Sequence, residues 1–197
     1  GVDAILSVVP FYNKPSQEGM IQHYSALAEA SPVPIIMYNV PGRTGCNLMP
    51  QTVATLVKSK SNLVGLKEAT GSLVQASETM RLCDGKLEMY SGEDGLVVPL
   101  MSIGAIGVIS VLSNVAPKDT HNLVMEYLNG NVEAARKLQM KVLPLVDALF
   151  CEVNPIPVKE AMNLMGKNVG PLRLPLCEMV PENRQCLEMA MKEYGIL

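Results

Sequence analysis

The sequence predicts an α/β protein built on a parallel sheet, followed by a helical C-terminal part. Three observations carry that reading. Five short apolar runs recur between residues 4 and 111, each followed by a helical pattern, as right-handed βαβ crossovers require. Polar residues recur at the carboxyl end of run after run. Past Val111 the apolar runs stop and only helical periodicity continues.

The first run, Ala4–Val9, is closed by Pro10. Ser16 then caps a helix that carries Gln17 and Glu18 in its first turn and Met20, Ile21, Tyr24, Leu27 and Ala28 on an apolar face. Pro34–Tyr38 is the second run, closed by Asn39-Val40-Pro41-Gly42, and Pro50 opens the next helix. The third, Leu63–Lys67, begins Leu63-Val64-Gly65-Leu66, with the length and composition of a strand buried on both faces. A helix over about Ser72–Cys83 follows. Leu87–Tyr90 ends at Ser91-Gly92 and leads into a helix of about Asp94–Ile103, and Gly107–Val111 ends at Ser113-Asn114. Helices of about Lys118–Leu128, Val132–Phe150, Pro155–Met165 and Glu182–Tyr194 complete the chain, with Pro144 expected to kink or split the second of these.

Five units suit an open doubly wound sheet or part of an eight-stranded barrel. A Gly-x-Gly-x-x-Gly turn after the first run and a phosphate-cradling P-loop are both absent. Instead Tyr12 and Asn13, Tyr38 and Asn39, Lys67 and Glu68, Ser91 and Gly92, and Ser110 and Ser113 stand at successive run ends, which is how barrel enzymes assemble a site. Lys67 follows an apolar run abruptly. An amine held at the mouth of an apolar pocket loses charge by desolvation and becomes a nucleophile toward ketones.

Bulk properties exclude several function classes. The net charge is −3 and no basic block occurs, which argues against a nucleic-acid surface. The five cysteines are widely spaced with no Cys-x-x-Cys pair, fitting reduced thiols of a cytosolic protein. His23 and His121 lack partners at metal-ligand spacing. Gly95–Pro117 is uncharged, yet Pro99, Gly104 and Gly107 break it, so it reads as buried helix and strand rather than a membrane span. No charged leader precedes an apolar segment, so no signal peptide is expected. With Trp absent and two Phe, the core is expected to be aliphatic, with 13 Met filling gaps.

Tyr38-Asn39-Val40-Pro41-Gly42-Arg43-Thr44-Gly45 and Gly65-Leu66-Lys67-Glu68-Ala69-Thr70-Gly71 resemble the dihydrodipicolinate synthase family of the pyruvate-dependent class I aldolases, the superfamily that includes N-acetylneuraminate lyase. Pro10–Pro15, Tyr90–Asp94, Gly107–Val111 and Asn154–Lys159 match as well. The resemblance implies a (β/α)8 TIM barrel of which this chain holds about five βα units, strands 4–8, plus a helical extension: residues 1–130 and 131–197 respectively. It implies condensation of pyruvate with aspartate semialdehyde in lysine biosynthesis, in the cytoplasm. Lys67 would form the Schiff base, Tyr38 would relay protons, and Tyr12 would reach across a dimer interface to complete the relay in a neighbouring subunit. Arg43 would grip the semialdehyde carboxylate, and the backbones of Ile109 and Gly92 would line the pyruvate pocket. No metal or organic cofactor, nucleic acid or membrane is implied. A homo-oligomer is, as a dimer or a dimer of dimers.

The chain also departs from that pattern. It starts as though at the fourth barrel strand, without the threonine pair that carries a relay hydroxyl, so little synthase activity is expected of it alone. Phe11 stands where lysine-inhibited members carry a tyrosine. Singly, Tyr38 reads as a strand aromatic and Arg43 as a turn residue. Only their placement around Lys67 points to chemistry. A sugar-acid lyase and an inert half-barrel are the alternative readings.

Overall fold

Each of the five apolar runs forms a strand, because β-branched and long aliphatic residues pack well on a pleated surface. The computed structural model describes all 197 residues. The strands are β1 (Ile5–Val8), β2 (Ile35–Asn39), β3 (Leu63–Glu68), β4 (Glu88–Ser91) and β5 (Gly107–Val108). They form one open parallel sheet in the order β1-β2-β3-β4-β5. Helices α1 (Gln17–Ala30), α3 (Pro50–Ser59), α4 (Leu73–Cys83) and α5 (Val97–Ser102) connect them, and α2 (Pro41–Thr44) is a single turn directly after β2. Ser16 caps α1 through the Gly19 N–H, and Ser72 caps α4 through that of Gln75.

The chain divides into two compact units, Gly1–Ile109 and Ser110–Leu197. In the first, the register sets two faces of the sheet apart. Met37, Leu66 and Met89 are fully buried neighbours on one face. Ile36, Tyr38, Lys67 and Tyr90 on the other are only half-buried. The expectation that Leu63–Leu66 is buried on both faces is therefore corrected, since Val64 remains partly exposed. Gly65 lies opposite Ile36, where a Cβ would come within 3.1 Å of the Glu88 carbonyl oxygen, so glycine is what allows the three strands to close up there.

Two run ends also differ from expectation. Only Gly107–Val108 of the fifth run lies in the ladder, although the Ile109 N–H still reaches the Ser91 carbonyl at 2.9 Å. Beyond it the Ser110 hydroxyl accepts the Ser113 N–H and turns the chain into a short 3₁₀ segment, Leu112–Asn114. The helix expected from Asp94 starts as a 3₁₀ turn, Asp94–Leu96, before α5.

The second unit holds α6 (Pro117–Leu128), α7 (Val132–Leu149), α8 (Ile156–Leu164) and α9 (Pro181–Tyr194). Its core is aliphatic: Leu123, Val142, Leu145, Leu149, Ala161, Leu187 and Met191 are all buried. Pro144 does not split α7, because one missing N–H is outweighed by the apolar face that Val142, Leu145 and Leu149 bury along the same helix. No helix of the chain is long and apolar enough to cross a membrane.

Candidate active site

The carboxyl end of a parallel sheet collects side chains from different strands on one rim. Here the register aligns Val8, Tyr38, Lys67, Tyr90 and Gly107 across all five strands. Within that row the Lys67 Nζ stands 4.3 Å from the centre of the Tyr38 ring. Burial pulls the Lys67 amine below the usual lysine range; Asp94 pushes it back, Arg43 lowers it further and Glu93 opposes that. The balance favours the neutral, nucleophilic amine relative to an ordinary surface lysine.

Tyr38 is not an acidified phenol. Its pKa is raised, because half-burial disfavours the phenolate by more than the nearby Arg43 guanidinium favours it, and Glu93 adds to the rise. Its hydroxyl therefore stays protonated through the neutral range and works as a neutral donor and acceptor.

Arg43 is presented by a built turn. Gly45 takes the left-handed conformation at the end of α2 (φ 69°), and its N–H returns to the Pro41 carbonyl at 2.9 Å. The buried Thr44 hydroxyl donates to Val40 and Cys46 carbonyls and accepts the Cys46 N–H. Behind this turn the fully buried Asn39 amide bonds Asn47 and both backbone groups of Leu48, and Asn47 in turn bonds Gln75 of α4. Arg43 itself is exposed, and its charge acts on both Lys67 and Tyr38.

Gly92 follows β4, and its N–H donates to the Glu68 carbonyl at 2.7 Å. A Cβ there would sit 2.7 Å from that of Ala69, so no larger residue fits this approach of β4 to β3. Ile109 ends the β4–β5 pairing and is half-buried. Tyr12 is not brought to Lys67 within this protomer: it is 89% exposed, on a loop where Tyr12 and Lys14 both hold positive φ.

Glu93 and Asp94 are what sequence reasoning missed. Asp94, like Glu68, is buried and Glu93 is half-buried, and Glu93 is pinned where its carbonyl and N–H both bond the Ser91 hydroxyl. Their signal was the run Ser91-Gly92-Glu93-Asp94 at a strand end. A separate cleft of about 530 Å³ lies among α8, α9 and the segment between them. In it Lys159 donates to the Pro171 carbonyl and Arg184 pairs with Glu160, both at 2.6 Å, and it contains none of the site residues above.

Comparison with known proteins follows the same lines. A family model described as the Dihydrodipicolinate synthetase family matches residues 1–194. The 4-hydroxy-tetrahydrodipicolinate synthase of Lachnoclostridium phytofermentans is 50% identical over 197 residues, covering 100% of this chain and 67% of that protein. The crystal structure of dihydrodipicolinate synthase from Thermotoga maritima superposes with a TM-score of 0.98 at 44% identity, covering 100% of this chain and 68% of its own. That of the chloride-inhibited dihydrodipicolinate synthase from Acinetobacter baumannii, complexed with pyruvate, gives a TM-score of 0.96 at 43% identity, covering 100% and 67%. The chain thus spans about two thirds of the length of the relatives it matches.

Proposed function

The chain belongs to the Dihydrodipicolinate synthetase family, whose fold is the TIM barrel, and we propose from that premise that it condenses pyruvate with aspartate semialdehyde through a Schiff base on Lys67. The observation that carries this reading is the half-buried Lys67 amine, lowered in pKa by burial, 4.3 Å from the Tyr38 ring centre at the carboxyl rim of the sheet.

The Lys67 amine attacks the ketone carbon of pyruvate, and loss of water leaves a protonated imine. The imine draws electrons from the adjacent methyl, which gives up a proton to form an enamine. The enamine carbon attacks the semialdehyde carbonyl, re-forming the imine; the amino group of the adduct then adds to the imine carbon, and the bond to Lys67 breaks, releasing the cyclic product and the free lysine amine. Tyr38 donates and accepts protons at the carbinolamine and at the new hydroxyl. Arg43 grips the semialdehyde carboxylate with two parallel N–H bonds, a geometry open to guanidinium and closed to ammonium. Tyr12, out on its exposed loop, serves the relay of a neighbouring subunit in a dimer or dimer of dimers. The backbones of Gly92 and Ile109 bound the keto-acid pocket. No metal or organic cofactor enters, because the imine is itself the electron sink, and the reaction belongs to the cytoplasm.

Borohydride reduction with pyruvate tests this reading. A pyruvyl adduct mapped to Lys67 is the expected result. A folded sample that gains no adduct overturns the enzymatic reading.

A further inference from the structure

Beside Lys67 stands a carboxyl group that the chemistry above does not use. Glu68 is only 2% exposed. Its Oε1 accepts the Thr70 N–H at 2.7 Å, while its Oε2 is buried with no hydrogen-bond partner. The crevice against it has no room for a water molecule. Its walls are Gly71, Ser72 and Leu73 from the start of α4, and Glu93, Leu96 and Leu100 from the segment after β4. None of these is a cation, and Glu93 is a further acid. On the β2 side, Asn39 is the register neighbour of Glu68 and is uncharged. An ionised carboxylate with no cation beside it and one oxygen left without a donor is among the costliest groups to bury, whereas a carboxylic acid leaves only an uncharged hydroxyl unpaired.

We propose that Glu68 works as an uncharged carboxylic acid, and that in this form it is the positioning residue fixing the turn that leads out of Lys67. The carbonyl oxygen of the acid takes the Thr70 N–H, and the Glu68 backbone carbonyl takes that of Gly92 at 2.7 Å. One residue therefore ties the β3 end to both the following turn and the neighbouring strand. The groups whose charges act on Lys67 are Asp94, Arg43 and Glu93. Burial raises the Glu68 pKa, the Thr70 hydroxyl and N–H lower it less, and Glu93 adds to the rise, a net direction that agrees with this assignment. The charge state stands by itself; the positioning role rests on the reading of Lys67 as the imine-forming amine.

The test compares the wild-type chain with Glu68→Gln and Glu68→Ala. Glutamine keeps the Thr70 acceptor and is neutral at every pH. A raised folded pKa means that the wild type loses stability as pH rises from the unfolded carboxyl pKa of about 4.3 toward the folded value. In urea denaturation, Glu68→Gln is expected to match the wild type near that lower limit and to gain on it steadily toward neutrality. A constant offset across that range, or a Glu68→Gln chain that does not fold, overturns the uncharged assignment. In borohydride trapping with pyruvate, Glu68→Gln should retain the wild-type pH midpoint and rate, while Glu68→Ala loses rate several-fold. A Glu68→Gln midpoint displaced to lower pH overturns the proposal, since it reports a negative charge removed from beside Lys67. Should the wild type itself trap no adduct, the Lys67 reading and the positioning role fall together, and denaturation still decides the charge.

Discussion

The chain contains the same contact twice, with opposite outcomes. In the sheet unit the Lys67 Nζ lies 4.3 Å from the Tyr38 ring centre; in the helical unit the Lys141 Nζ lies 4.7 Å from that of Tyr194. Lys141 is exposed and forms a 2.7 Å salt bridge with Asp119, whose carboxylate also accepts the Tyr194 hydroxyl. Those two hydrogen bonds hold the Asp119 carboxyl below its ordinary range and pin α6, α7 and α9 to one another. At Lys67 burial is the largest influence and acts against the charge. Residue type and separation are thus shared, and desolvation against a paired carboxylate decides which lysine is poised to lose its charge and which is a fastener.

The largest expected effect breaks the comparison outright. Lys67→Ala should reduce pyruvyl-adduct formation to background by mass spectrometry, and Lys141→Ala should leave it unchanged. Tyr38→Phe is expected to slow adduct formation and turnover by about 10²-fold, the low end for a lost proton relay, with little change in folding. Arg43→Ala should raise the KM for the semialdehyde by about 10- to 100-fold, as one charge-assisted hydrogen-bonding pair is worth, and leave the pyruvate adduct intact.

The pH dependences of the two pairs should both favour the folded state as pH rises, in well-separated ranges. Adduct formation at Lys67 should rise to a plateau below the ordinary lysine pKa of about 10.4. Stability linked to that group should grow as pH climbs from its lowered folded pKa toward that value. Stability linked to Asp119 is present above an ordinary aspartate pKa of about 3.9 and is lost as pH falls through its lowered folded pKa. Acid and alkaline denaturation series on wild type, Lys67→Met and Asp119→Asn would separate them. The smallest effect is that of Tyr194→Phe or Lys141→Ala on urea stability, about 0.5–1 kcal/mol, because an exposed pair is screened by solvent.

Legibility in the sequence followed from how local each signal is. All five strands could be read because each is a short, mostly apolar run bounded by turn residues, and Tyr38 and Lys67 because each closes such a run. Arg43 was carried by the flanking Pro-Gly and Thr-Gly residues. Glu68 looked like an ordinary strand-end acid, since its burial depends on α4 and on the segment after β4 packing over it. The protonation of Tyr38 was not legible, because half-burial outweighing the neighbouring guanidinium is a property of the folded rim. The Tyr194–Asp119 contact, between residues 75 positions apart, left no mark on the sequence at all.

The close approach at Gly92 has a consequence for how far the sequence can drift. A Cβ there would lie 2.7 Å from that of Ala69 and 3.0 Å from the Glu68 carbonyl oxygen. One added methyl would wedge two neighbouring strands apart just where the side chains of the rim leave them. Saturation mutagenesis selected for folding should return glycine at this position and little else.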